Sequence, residues 1–97
     1  MILRIVSMRF EPSKLAEFEL LFRRYHSAIE AQEGCHEVQL LLDAEDPCMR
    51  GTMSVWDSEA HLNAYRRTEL FGKVWPSTKA LFIEPPKVWT YHMDARE

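Results

Sequence analysis

Glycine and cysteine are scarce in this sequence, three of one and two of the other among 97 residues, and each shortage closes off a class of function. With Gly34, Gly51 and Gly72 standing far apart, there is no glycine-rich loop to cradle the phosphates of a nucleotide. Cys35 and Cys48 lack metal-ligand spacing and have no secretory context, so two thiols are expected rather than a disulfide. The four histidines, His26, His36, His61 and His92, are scattered, and no pair has the tight spacing of a zinc or iron site. A basic surplus is also missing. Net charge is −3, and Arg23-Arg24 and Arg66-Arg67 are isolated pairs among acidic neighbours, which reads as solvated helix faces rather than a nucleic-acid surface. No apolar run approaches the ~18 residues that a membrane span needs, and the N-terminus enters a strand pattern at once rather than a cleavable signal, so a cytoplasmic protein is the expectation.

What is present suits one domain over residues 1–97, since 46% apolar residues can fill one core but not two. Ile2 to Phe10 reads as a first strand, with Ile2, Val6, Met8 and Phe10 on one face and Leu3, Ile5, Ser7 and Arg9 on the other. Pro12 and Ser13 then open a helix whose Leu15, Phe18, Phe22, Tyr25 and Ile29 fall within about 80° of arc, with His26 just outside that stripe. Gly34 is a candidate helix C-cap. Cys35 to Asp43 alternates as a second strand, with His36, Val38, Leu40 and Leu42 on one face. Met49 to Trp56 returns as a third strand, hairpin-paired with the second, with Arg50, Thr52 and Ser54 on one side and Met49, Met53 and Val55 on the other.

The stretch from Thr52 to Phe82 carries most of the candidate chemistry. Asp57 and Ser58 supply cap side chains for a helix with Ala60, Ala64 and Thr68 along one face, flanked by His61 and Tyr65 one turn apart. Thr68 can cap a second helix in which Leu70, Phe71, Val74, Trp75, Thr78, Leu81 and Phe82 span about 140°. Pro76 removes a donor and crowds the carbonyl of Gly72, which predicts a kink or break at Trp75. The freed Gly72 carbonyl then either takes water at a packing kink or meets a ligand beside Trp75. Pro85-Pro86 ends this pair of helices, Lys87 to His92 forms the last strand, and Met93 to Glu97 reads as a frayed polar tail.

The order strand, helix, strand, strand, helical pair, strand is the split β-α-β arrangement of the α+β, ferredoxin-like class, an antiparallel four-stranded sheet with helices on one face. Strands one, two and four are consistently polar on neither side. The sheet face away from the helices therefore needs a cover, and a second copy is the simplest, giving a homodimer through that face; paired sheet edges would extend it into a shared barrel.

Gly34-Cys35 at the second strand, Ser54-Val55-Trp56-Asp57-Ser58-Glu59-Ala60 running from strand three into a helix, and Tyr65-Arg66 with Leu70-Phe71 and Val74-Trp75 beyond it together resemble the antibiotic biosynthesis monooxygenase superfamily of dimeric α+β barrel proteins. One activity that the resemblance implies is cofactor-independent monooxygenation of a quinol or polycyclic aromatic, in which the deprotonated substrate itself reduces dioxygen and no metal, flavin or nicotinamide is required. For it, Phe22, Trp56, Tyr65, Phe71 and Trp75 are candidate pocket walls, Arg9 a source of polarity, and His26 or His61 the candidate acid–base residue for a phenolic proton. The family's haem-degrading branch uses an asparagine, a tryptophan and a histidine, whose places align with Ser7, Tyr65 and Trp75, so this chain lacks an axial ligand at Trp75. A non-enzymatic dimeric module that binds a hydrophobic metabolite is the competing reading, since one scaffold hosts many functions.

Overall fold

A computed structural model describes residues 1–94. Strands β1 (Ile2–Arg9), β2 (Cys35–Leu42), β3 (Met49–Trp56) and β4 (Lys87–His92) form one antiparallel sheet in the order β2-β3-β1-β4. Helix α1 (Leu15–Glu30), entered through a 3₁₀ turn at Pro12–Lys14, and helices α2 (Glu59–Tyr65) and α3 (Glu69–Lys79) pack on one face. The fold is the expected α+β, ferredoxin-like one.

Register decides which side chains meet the helices. Ile2 opposes Trp56, Arg4 opposes Ser54 and Thr90, and Val6 opposes Thr52 and Val88, so these residues share the helix-covered face. Leu3, Ile5, Met53 and Val55 share the other face with Trp89 and Tyr91. No element of the described chain covers that second face, and Trp89 and Tyr91 are 41% and 51% exposed.

The caps expected from Ser58 and Thr68 hold, whereas Asp57 caps nothing and helix α1 is closed by Ala31, so Gly34 is not its C-cap. Ser58 Oγ accepts the His61 amide N–H and Thr68 Oγ1 accepts that of Phe71, so each side chain satisfies an orphan donor at a helix start. The apolar stripe of α1 is led by Phe18, which stacks on Phe10 at 4.5 Å. Two clusters result: Ile2, Trp56, Leu62 and Tyr65 at one end of the sheet, and Met8, Phe10, Phe18 and Leu81 at the other.

Several expectations are corrected. Helix α3 runs unbroken through Pro76. Gly72 and Pro76 both lie on its exposed side, where a carbonyl deprived of its amide partner can be solvated. Helix α2 buries Leu62 and Tyr65, while Ala60 and Ala64 are exposed, because the bulkier pair removes more apolar surface from water. A register shift between Cys35 and Glu37 leaves His36 as the extra residue of a bulge, exposed and 2.5 Å from Asp57, rather than in line with Val38 and Leu40. Strand β2 ends at Leu42, and Phe10 makes only an isolated bridge to Phe82. Both cysteines are free. Of the tail expected from Met93 to Glu97, Met93 donates its N–H to the Met1 carbonyl at 2.9 Å, and residues 95–97 lie outside the described residues. Among the described residues, no helix is long and apolar enough to cross a membrane.

Candidate functional site

Between the two core clusters the helices stand off the sheet, leaving a cavity of about 180 Å³. Its floor is the helix-facing row of the sheet: Arg4, Val6 and Met8 of β1, Thr52, Ser54 and Trp56 of β3, and Val38 of β2. Phe18, Leu21, Phe22 and Ile29 of α1 form one wall. Leu62, Tyr65, Phe71, Val74, Trp75 and Thr78, from α2 and α3, form the other. Exposed Arg66 and Val88 border the space where it meets solvent.

Aromatic rings arch over this floor. Trp56 stacks on Tyr65 at 5.3 Å, Tyr65 meets Phe71 edge-on at 5.3 Å, and Phe71 stacks on Trp75 at 6.2 Å. Trp75 then meets Phe82, and Phe82 meets Phe10, so the rings join the two clusters around the cavity. Such pairs restrict each other's rotamers and keep the wall open rather than collapsed.

Polarity within the cavity is sparse. Trp56 is fully buried, and its indole N–H has no hydrogen-bond partner among the described residues. An orphan donor of this kind costs about 1–3 kcal/mol unless something accepts from it. Burial, aided by nearby Cys35, pushes the Tyr65 phenol up to about 12, so it remains a protonated donor at neutral pH. The Thr78 hydroxyl donates to the Val74 carbonyl at 2.8 Å.

Two cations complete the site. Arg4 is half-buried, and its Nη1 donates to Thr90 Oγ1 at 3.2 Å. Desolvation and the neighbouring Arg66 guanidinium both lower its pKa, the signature of a cation without a counter-charge. Arg9, Arg23 and Arg50 all pair with carboxylates, but among the described residues neither Arg4 nor Arg66 does.

Five of the residues singled out from the sequence, Phe22, Trp56, Tyr65, Phe71 and Trp75, come together on this one cavity. The other three do not line it. His26 Nε2 donates to the Val38 carbonyl at 2.5 Å, while Glu30, 3.3 Å away, accepts the Val38 N–H at 3.0 Å. The two side chains thereby satisfy both backbone groups of one residue on the free edge of β2. The His61 ring packs against Gly34 and bonds Ser58 Oγ through Nδ1 at 2.8 Å. Arg9 lies at the far end of β1, tying Asp46 (2.7 Å) to Glu84 (3.0 Å). Ser7, aligned above with the asparagine place of haem degraders, is on the uncovered sheet face opposite Gly51 and Lys87.

Sequence reasoning missed Arg4, Thr52 and Ser54 as pocket residues. The available signal was strand parity: Arg4 stands two residues from Ile2 and two from Val6, on the same face as both.

A family model described as antibiotic biosynthesis monooxygenase matches residues 1–75. No curated protein sequence matches the chain. Among solved structures, the fold is similar to a crystal structure of an antibiotic biosynthesis monooxygenase, with TM-score 0.85 and 23% identity over 100% of both chains. It is also similar to a conserved protein from Methanosarcina mazei Go1, with TM-score 0.89 and 20% identity over 97% of this chain and 94% of that one. A protein from Mycobacterium tuberculosis gives TM-score 0.87 and 16% identity over 98% and 96% of the two chains.

Proposed function

The chain belongs to the antibiotic biosynthesis monooxygenase family, and on that premise we propose that it is a cofactor-independent monooxygenase for a quinol-type aromatic substrate held in the cavity between sheet and helices. The observation that carries the reading is the ring-lined cavity itself, apolar over most of its surface with a few polar side chains on floor and rim. Its volume of about 180 Å³ favours one or two fused rings over a larger polycycle, since an apolar cavity of about 150 Å³ admits benzene.

In this reading the substrate supplies the electrons. Once deprotonated it reduces dioxygen, one oxygen atom ending on the ring carbon and the other in water. The protein's share is to bind, orient and stabilise charge. The Tyr65 phenol offers a donor to the substrate's oxygens, and Trp56, Trp75, Phe71 and Phe22 fix the ring plane. No imidazole or carboxylate lines the cavity among the described residues, so the phenolic proton leaves to solvent at the mouth, and neither His26 nor His61 serves as the base.

Oxygen uptake with a panel of benzo- and naphthohydroquinones, corrected for autoxidation, tests the proposal. Saturable uptake is expected, reduced about 10-fold or more by Trp75→Ala and Tyr65→Phe and unchanged by His61→Ala. Saturable binding with uptake no faster than autoxidation across the panel would instead identify a non-enzymatic binding module.

We also infer that the uncovered sheet face pairs with a second copy of the chain. Leu3, Ile5, Met53, Trp89 and Tyr91 make it a broad apolar surface of the kind that monomers rarely leave in water.

A further inference from the structure

One feature of the cavity is left over once ring binding is accounted for: a pair of neighbouring guanidiniums, Arg4 and Arg66, both on its lining and neither with a carboxylate partner among the described residues. Like charges brought together repel, and in an isolated fold Arg4 would lower that cost by turning away into solvent. It is instead anchored by its bond to Thr90 Oγ1, half-buried on the cavity floor beside Val6. Arg66, which follows Tyr65 at the end of α2, borders the same space from the opposite wall. An anion placed between them would relieve the repulsion and gain charge-assisted hydrogen bonds from both.

We propose that Arg4 and Arg66, which both line the cavity, form a carboxylate site, so that the compound bound here is an aromatic acid with its ring among Trp56, Tyr65 and Trp75. Planar guanidiniums match the two oxygens of a carboxylate. At the wet mouth a carboxylate is ionised throughout the physiological range, whereas a phenol, with its ordinary pKa of about 10, is not.

This deepens the reading of the cavity as a substrate pocket and rests on it, but it is tested by binding rather than turnover. The probes are 2-naphthoate and its neutral isostere 2-naphthamide, titrated calorimetrically into the protein at low salt. The acid is expected to bind about tenfold or more tightly than the amide, as befits hydrogen bonds to a charged group. Arg4→Gln and Arg66→Gln should each cut that preference several-fold. Arg67→Gln, one residue along and outside the cavity, should leave it intact. Equal affinity for acid and amide, no binding of either, or a preference that survives in both Arg4→Gln and Arg66→Gln would overturn the site. The two proposals fail separately. Naphthoate bound through the arginines with no oxygen uptake from any hydroquinone removes the oxygenase and leaves the acid site. Hydroquinone oxidation undiminished in both arginine variants, with acid and amide bound alike, removes the acid site and leaves the oxygenase.

Discussion

At Gly34 the backbone has φ of +80°, and a Cβ built there would overlap the His61 ring. Both conditions select glycine. An alanine must adopt left-handed geometry, at about 1–2 kcal/mol, and must displace a ring held by Ser58. Gly34→Ala is therefore expected to lower unfolding free energy by about 2–4 kcal/mol in urea titrations, with His61→Ala in the same chain recovering the steric part only. Tyr65 sets a second expectation. The unfolded phenol loses its proton near 10 and the folded one at about 12, so between those values the unfolded chain binds fewer protons. Stability is thus complete below pH 10 and falls as pH rises towards 12. Urea midpoints measured across that interval should decline more steeply in the parent than in Tyr65→Phe. The loop from Asp43 to Cys48 behaves oppositely. Asp43 accepts the N–H groups of Glu45 and Asp46, and Asp46 accepts that of Cys48 and pairs with Arg9; these bonds hold both carboxyls below their usual range. Their contribution is present at neutral pH and is lost only in acid, as pH falls through the lowered values.

Among the elements, helix α3 shows how local chemistry and packing divide control. Its start was legible, since Thr68 is the only good cap residue ahead of Leu70-Phe71, and so was its apolar face, since Phe71, Val74, Trp75 and Thr78 all reach the cavity. Its expected break was not, because the rule that proline ends a helix assumes a backbone otherwise indifferent to its surroundings, and here Trp75 and Thr78 are locked on the inner side. At Gly72 a methyl group would meet nothing within 4 Å, so Gly72→Ala should stabilise the fold by about 0.5–1 kcal/mol, seen as a raised urea midpoint. The aromatic walls could be read from the sequence because strand parity and helical periodicity each mark an inward side. The histidines could not, since whether an imidazole meets a cavity or a backbone carbonyl depends on a few ångströms of helix placement; His26, one step outside its stripe, turned to the edge of β2. Arg4 was hidden by its type. A lone charge in an apolar strand is read as solvated, although its parity put it inside.

At the scale of the whole molecule, β4 carries two tasks on alternate residues: Val88 and Thr90 attend the cavity mouth, while Trp89 and Tyr91 extend the uncovered apolar face. If that face joins two copies, Ile5→Glu or Trp89→Glu should convert a particle of twice 11.5 kDa into one of 11.5 kDa by light scattering after gel filtration, with far-ultraviolet circular dichroism preserved. A parent chain already running at the single-chain mass would count against the pairing. The divided core has one more consequence. The space of about 180 Å³ lies between its two clusters and is walled by both, so a molecule seated there binds only the folded chain. By mass action such a ligand ties the two halves of the core together, and resistance to unfolding rises with the logarithm of its concentration once that exceeds the Kd.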